Sequence, residues 1–227
     1  MNTSEAMQEY LAEAYRLAYY QSDSHFISTS ALAEVLHVSP PAVTRMVQRL
    51  KEAGYLEHEP YRGIALTPAG EREALMSIRR HRLVERFLVD VMDFGWHEVH
   101  DEADDLGAVV SQIVVERMAL LAGSPRRCPH GEPIPTEDGV MPQVVDYPLN
   151  DISLNQEMVI SRVTTHDAGK LDYLGTLGLK PGTGFTLIER APFNGPLQLA
   201  VNGSIQVIGY ELAGALRVCT LDEYNLV

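Results

Sequence analysis

Apolar side chains recur at every third or fourth position early in the chain, at Met7, Tyr10, Leu11, Ala14, Leu17 and Ala18. That spacing predicts a helix with one buried face. The next stretch, ISTSALAEVLHVSPPAVTRMVQRLKEAGYLEHEPYRGIALTPAGEREAL, changes period twice. Ser30 can cap a helix through ALAEVL, and VSPP ends it. Ser39 or Pro40 then starts another helix, with Pro41 in its first turn and Gly54 just past its end. YLEHEP and GIALT read as two short strands around YRG, and Thr67 with Pro68 opens a further helix. Helix, turn, helix and two-stranded wing together predict a winged helix-turn-helix over residues 1–72.

Residues 73–122 read as two longer helices joined at FGWHE. Leu83, Phe87, Leu88 and Val91 on the first, with Leu106, Val109, Val110, Ile113, Val114 and Leu120 on the second, exceed what a small domain needs to bury. The surplus predicts a homodimer. The helical region is assigned to residues 73–130. Periodicity then gives way to a Gly-, Pro- and acid-rich connector, residues 131–150. Residues 151–227 alternate β-type segments (EMVISRVT, GFTLIERA, LQLAVNG, ALRVCTL) with Gly-rich turns and a short helix, as in a small β-barrel. The expected fold class is α+β.

Composition narrows the function. A net charge of −13 over 227 residues argues against a general polyanion binder. The charge is unevenly spread, however. Between Ser39 and Lys51 there are three basic residues and no acidic one, whereas residues 90–105 carry seven carboxylates and no Lys or Arg. The second helix of the helix-turn-helix, residues 41–53, would bury Val43, Val47 and Leu50 and present Thr44, Arg45 and Gln48 to a major groove. The expected DNA-facing set is Ser39, Pro41, Thr44, Arg45, Gln48, Arg49 and Lys51, with Tyr61 and Arg62 at the wing tip. No apolar run approaches the roughly 18 residues of a membrane span, and there is no signal-peptide pattern. The expectation is a cytoplasmic protein with no membrane association. Cys128 and Cys219 stand far apart, as in a reducing compartment. No P-loop, GxGxxG, HExxH or GxSxG occurs, so an enzyme is not expected.

Candidate chemistry lies in RHRLVERFLVDVMDFGWHEVHDEADDLG. His81 and Glu85 are four apart, as are His100 and Asp104, so each pair shares a helix face. One such pair alone would be an ordinary surface pair; two suggest halves of a metal site. Glu9 or Glu102 could complete the shell. Oxygen and nitrogen ligands without a thiolate favour a hard ion such as Mn²⁺. CPHG offers Cys128 and His130, but no second pair sits at zinc-finger spacing, so it reads as a connector turn. Trp96 reads as core.

The sequence VSPPAVTRMVQRLKEAGYLEHEPYRGIALTPAG, followed by RHRLVERFL, VHDEAD, CPHGEPIP and LGLKPGTGFTLIERAPFNGPLQLAVNG, resembles the diphtheria toxin repressor family over nearly the whole chain. The resemblance implies a dimeric regulator of iron or manganese homeostasis that binds double-stranded operator DNA when Mn²⁺ or, alternatively, Fe²⁺ is bound, with an SH3-like, FeoA-type C-terminal domain. It implies one metal site using His81, Glu85 and His100, with Asp167 as a C-terminal carboxylate and His166 as its rival. At the family's other site this chain has Glu9 and Asp104 at two ligand positions, but Gly107 and Ala108 at the remaining two, which implies a merged or shifted site. The alternatives are a metal-independent winged-helix interaction module and, more remotely, a metal-dependent hydrolase.

Overall fold

Helix α1 (Glu5–Tyr19) buries Tyr10, Leu11, Ala14 and Tyr15 on one stripe. In the computed structural model, which describes residues 3–19 and 25–227, that stripe joins the core of the first of two units, Met1–Arg80 with Pro135–Met141. Helix α2 (Thr29–Val35) is capped by Ser28, whose Oγ accepts from the Ala31 amide at 3.0 Å, and not by Ser30. A two-way backbone bridge explains the earlier start. Ile27 N donates to Ile64 O and Ile64 N to Ile27 O, each at 2.9 Å, which keeps the chain extended up to the cap. Helix α3 (Pro40–Glu52) begins after an extended Ser39. It ends in a Schellman turn: Gly54, at φ +82°, donates to Lys51 O, and Tyr55 donates to Leu50 O.

Strands β1 (Leu56–Glu59) and β2 (Gly63–Leu66) pair antiparallel, with Leu56 opposite Leu66. Gly63 has φ +114°, and a Cβ there would lie 2.2 Å from Ile27 O. Glycine is therefore what lets the wing meet Ile27. Leu11, Leu32, Val43, Leu50, Ile64 and Ile78 fill the core. Part of the expected connector belongs to this unit: Arg79 Nη1 donates to Pro135 O at 2.9 Å, and Met141 packs on the core.

Helix α4 (Pro68–Asp90) carries the chain from the first unit into the second, His81–Ile134 with Pro142–Val227. After Trp96 come α5 (Val99–Val109) and α6 (Gln112–Leu121), where the apolar period had predicted one continuous helix. Val110 and Ser111 are extended, at ψ 143° and 157°. Two adjacent β-branched residues followed by a serine favour leaving the helix and starting another. Leu83, Val84, Leu88, Val99, Ala103, Val115 and Ala119 pack between the three helices.

The C-terminal sheet comprises β3 (Tyr147–Pro148), β4 (Glu157–Val163), β5 (Gly184–Arg190), β6 (Leu197–Val201), β7 (Ser204–Ile208) and β8 (Leu216–Cys219). Its order is β3-β8-β4-β5-β6-β7, antiparallel throughout, with bulges at Ile160/Arg162 and Leu187/Glu189 that increase its bend. Helix α7 (Ala168–Thr176) and the short helices α8 (Tyr210–Ala213) and α9 (Leu221–Tyr224) complete the domain. The sequence pattern found four of the strands. Edge strand β7 escaped it because Ile205 and Val207 stay exposed, and β3 has only two residues. Trp96 is buried in this domain's core. Among the described residues, no helix is long and apolar enough to cross a membrane.

Candidate metal centre and DNA-facing helix

Four residues converge within the second unit. Residues 81 and 85 stand on one face of α4, and His100 sits in the first turn of α5. Glu85 is buried, at 2% exposure, and its Oε1 receives three imidazoles: His81 Nε2 at 3.2 Å, His100 Nδ1 at 3.3 Å and His130 Nδ1 at 3.4 Å. His81, Glu85 and His100 present one ligand atom each within 4.8 Å of one another, and so do Glu85, Cys128 and His130.

The electrostatics of this cluster favour a cation. Burial acts to raise the Glu85 pKa, but the imidazoles, His81 foremost, hold it well below the usual carboxylate range. Burial acts to lower the pKa of His81, yet Glu85 and Asp104 push it up to about 9. His130 is likewise opposed by burial, and Cys128 and Glu85 raise it to about 10. Burial holds the Cys128 thiol protonated by raising its pKa. At neutral pH, then, two protonated imidazoles balance the Glu85 and Asp104 carboxylates. A divalent ion with neutral imidazoles would carry the same charge.

The segment CPHGEPIP is a built loop. Cys128, His130 and Glu132 are buried, Gly131 N donates to Cys128 O, and Cys128 N donates to Glu132 O. Gly131 has φ +88°, and a Cβ there would lie 2.2 Å from Ser161 O, so the loop can lie against β4 only with glycine at this position. Val163 N donates to His130 O at 2.9 Å. A chain of ion pairs runs from Arg82 on α4 through Glu132, Arg162 and Asp146 to Arg217 on β8. It ties the helices, the loop and the sheet together with each charge paired.

His130 Nε2 lies 2.8 Å from Trp96 O. A carbonyl only accepts, so that nitrogen carries the proton and Nδ1 is the one aimed at Glu85.

The remaining candidates lie elsewhere. Asp104 Oδ1 is 2.7 Å from His81 Nδ1, on the ring side away from Glu85. Asp167 is the N-cap of α7, where its Oδ1 accepts from Lys170 N at 2.8 Å. Of the two C-terminal rivals it is His166 that adjoins the cluster, its ring centroid 4.4 Å from that of His100. Glu102 is exposed, two positions from both His100 and Asp104 and so on another side of α5. Glu9 is exposed on α1 in the first unit. Gly107 is buried with room for a Cβ, and Ala108 is exposed. Sequence reading set aside His130 and Cys128. The usable signal was a His and a Cys inside a Pro/Gly-shaped turn in a chain that already offered a carboxylate and two imidazoles.

In the first unit, α3 buries Val43, Val47 and Leu50 and exposes Pro41, Thr44, Arg45, Gln48, Arg49 and Lys51, with Ser39 exposed at its cap. Thr44 Oγ1 donates to Pro40 O, and Gln48 Nε2 donates to Glu52 Oε1. Tyr61 stands fully exposed at the wing tip with φ 68°. Arg62 lies over the Phe26 ring at 4.1 Å and pairs with Glu59 at 2.6 Å.

A winged helix joined by a long helix to a buried imidazole–carboxylate cluster is the plan of a metal-responsive DNA-binding regulator, and comparison with known proteins agrees. Residues 2–64 match the iron dependent repressor N-terminal DNA binding domain, and residues 67–136 match the iron dependent repressor metal binding and dimerisation domain. Residues 147–219 match the FeoA domain. The iron-dependent repressor IdeR of Mycobacterium tuberculosis is 32% identical over 200 residues, covering 82% of this chain and 86% of that protein. The regulator MntR of Lysinibacillus sphaericus is 40% identical over 116 residues, covering 51% of this chain and 81% of that protein. The structure of a manganese-dependent transcriptional repressor in complex with manganese superimposes with a TM-score of 0.85 at 32% identity, covering 95% of this chain and all of that one. The chain belongs to the iron-dependent repressor family, which includes the diphtheria toxin repressors, and is a metal-dependent transcriptional regulator.

Proposed function

We propose that this protein is a homodimeric, cytoplasmic repressor of metal-uptake genes that binds operator DNA when Mn²⁺, or alternatively Fe²⁺, is held by His81, Glu85 and His100. The observation that carries this reading is the buried Glu85 oxygen with imidazoles at 3.2 and 3.3 Å from two different helices. A donor set of two nitrogens and a carboxylate suits Mn²⁺ and Fe²⁺. Zn²⁺ would bind more tightly by the Irving–Williams order, so the choice rests on coordination number and supply. Asp104 acts on His81 from outside the ligand set, its carboxylate paired with the Nδ1 side of the ring, which leaves Nε2 to face the ion. Glu9, Glu102 and Asp167 are not needed in this set. The bound ion supplies a positive charge that joins α4 to α5, and α4 is continuous with the winged helix. No reaction is catalysed.

Arg45, Arg49 and Lys51 on α3 contact phosphates and bases, with Thr44 and Gln48 beside them. The test is fluorescence anisotropy on a duplex selected from random sequence against Mn²⁺-loaded protein, titrated with Mn²⁺, Fe²⁺ and Zn²⁺. Mn²⁺ should strengthen binding. Arg45→Ala should weaken it by about 1 to 3 kcal/mol without changing Mn²⁺ affinity. Absence of duplex binding with or without metal would favour the metal-independent protein-interaction module, equal binding with and without metal would overturn the metal dependence, and an unaffected Arg45→Ala would mean that another element reads the DNA.

The dimer is assigned to α5 and α6, where Val109, Ile113, Leu120 and Leu121 are 80, 77, 60 and 69% exposed. An apolar surface of this kind is characteristic of an interface. Sedimentation of metal-free protein at micromolar concentration should give a dimer. A monomer that pairs only with Mn²⁺ would show that the metal assembles the dimer and does not simply orient it.

A further inference from the structure

The two edges of the C-terminal sheet are finished differently. At one, β3 is two residues long and ends in Pro148, which has no N–H to offer a neighbouring strand. At the other, β7 reads SIQVI, with no charge and no proline, and it pairs with β6 without a bulge from Ser204 opposite Val201 to Ile208 opposite Leu197. Charge, proline and bulges are the usual means of keeping an edge strand from pairing with another chain, and β7 carries none of them. We propose that the β7 edges of two copies of this chain pair antiparallel about a two-fold axis at Gln206, joining their C-terminal sheets into one.

The register follows from the hairpin. Val201 and Ser204 flank the two-residue turn of Asn202 and Gly203, whose φ values of +49° and +79° are those of a type I′ turn. The flanking residues form a hydrogen-bonded pair, so Ser204, Gln206 and Ile208 direct their backbone groups at β6, while Ile205 and Val207 direct theirs at the open edge. With the axis at Gln206, Ile205 stands opposite the partner's Val207, and each such pair exchanges both N–H···O=C bonds. No other two-fold register serves both residues within the strand, since an axis at Ile205 or Val207 would set the other opposite Gly209 or Gly203. The side chains agree with this register. Ile205 and Val207, 61 and 51% exposed, lie on one face and meet their mates as β-branched cross-strand neighbours. On the opposite face the two Gln206 side chains stand at the axis, where one amide can donate to the other. An uncharged edge also gives two copies of a chain of net charge −13 a surface on which they do not repel. Strands of five residues span only about 17 Å, and their contact falls well short of the roughly 1,000 Å² of a free-standing interface. The pairing is therefore weak in dilute solution and forms where copies are held close together, as on neighbouring sites of one DNA molecule.

The pairing needs only two copies of the chain and no metal, so it does not depend on the proposed function: the α5 and α6 contact sets the mass of the dilute protein, and β7 pairing raises it. Sedimentation of the full, metal-free chain from micromolar to millimolar concentration should show that rise. Val207→Pro removes an outward N–H without touching the β6 ladder and should weaken the association about tenfold. Ile205→Lys and Val207→Glu should each weaken it too, and an equimolar mixture of the two should recover it, because only the mixed pair sets opposite charges across the strands. Gln206→Cys should give a disulfide-linked pair on mild oxidation, since opposite residues of a non-hydrogen-bonded pair lie about 4.5 Å apart. Ser204→Cys, which would face the partner's Ile208, should not. An unchanged thermal midpoint in dilute solution reports that each variant folds. A wild-type mass that stays constant to millimolar concentration would leave the edge to a strand from another protein and overturn the pairing of copies. So would a mass that rises equally in Val207→Pro, no cross-link in Gln206→Cys, or a cross-link formed as readily by Ser204→Cys. Loss of Mn²⁺-stimulated DNA binding with the association intact would instead count against the proposed function alone.

Discussion

Glu85→Gln should abolish Mn²⁺-stimulated DNA binding and lower Mn²⁺ affinity by two to three orders of magnitude. Glu85 is the only carboxylate that three imidazoles share among the described residues, and it is buried where water cannot take its place. Glutamine preserves size and shape but removes the charge, and its NH₂ competes to face the ring nitrogens. Removing one partner from a buried charged set costs about 3 to 5 kcal/mol, which sets the scale of the loss. In the metal-free variant the His81 proton loses its principal counter-charge and the His130 proton loses one of its two partners, so both pKa values should fall. Calorimetric titration with Mn²⁺ measures the affinity, and histidine ring NMR resonances report the pKa change. Affinity within tenfold of wild type would place the metal elsewhere.

A second large effect concerns pH. The metal-free protein holds protons on His81 and His130 up to about pH 9 and 10, and an ion can take His81 Nε2 only from the neutral ring. A dication at Glu85 also repels the His130 proton, whose Nδ1 faces the same oxygen. About two protons should therefore leave for each ion bound, and between pH 6 and 8 Mn²⁺ affinity should rise about a hundredfold per pH unit, roughly tenfold per proton. The sign for folding runs the other way. Both histidine pKa values are raised, so their stabilisation of the metal-free protein is fully present below about 6.5 and is lost as pH rises through 9 to 10. Acid thus favours the protonated, metal-free cluster and alkali the metal-bound one. Calorimetry in buffers of different ionisation enthalpy counts the protons directly. A pH-independent affinity would mean that both rings are already neutral before the ion arrives.

The winged helix could be read from the chain because its signals are local. Ser39 with Pro40 and Pro41 starts α3, Gly54 closes it, and a stripe of Val43, Val47 and Leu50 defines its buried face. Each of these acts within one or two helical turns. The pairing of His81 with Glu85 is of the same kind, since four residues along a helix bring side chains to one face. The pattern failed where distant chain decides a local outcome. Ser28 caps α2 because Ile27 is bridged to Ile64, 37 positions away.

What the sequence determined by itself was the kind of protein: a helix-turn-helix with a wing, two imidazole–carboxylate pairs on successive helices, and a β-rich end. Short-range periodicity, capping chemistry and turn residues suffice for that. Which oxygen stands at the centre, which face of His81 meets Asp104, and that Asp167 caps a helix while His166 adjoins the cluster were decided only by tertiary structure. So was the arrival of His130 and Cys128. Their loop reaches Glu85 because Arg82, Glu132, Arg162 and Asp146 pair across four separate segments and Gly131 admits the backbone of β4. Burial makes those pairings strong, and burial is a property of the packed chain that no local spacing encodes.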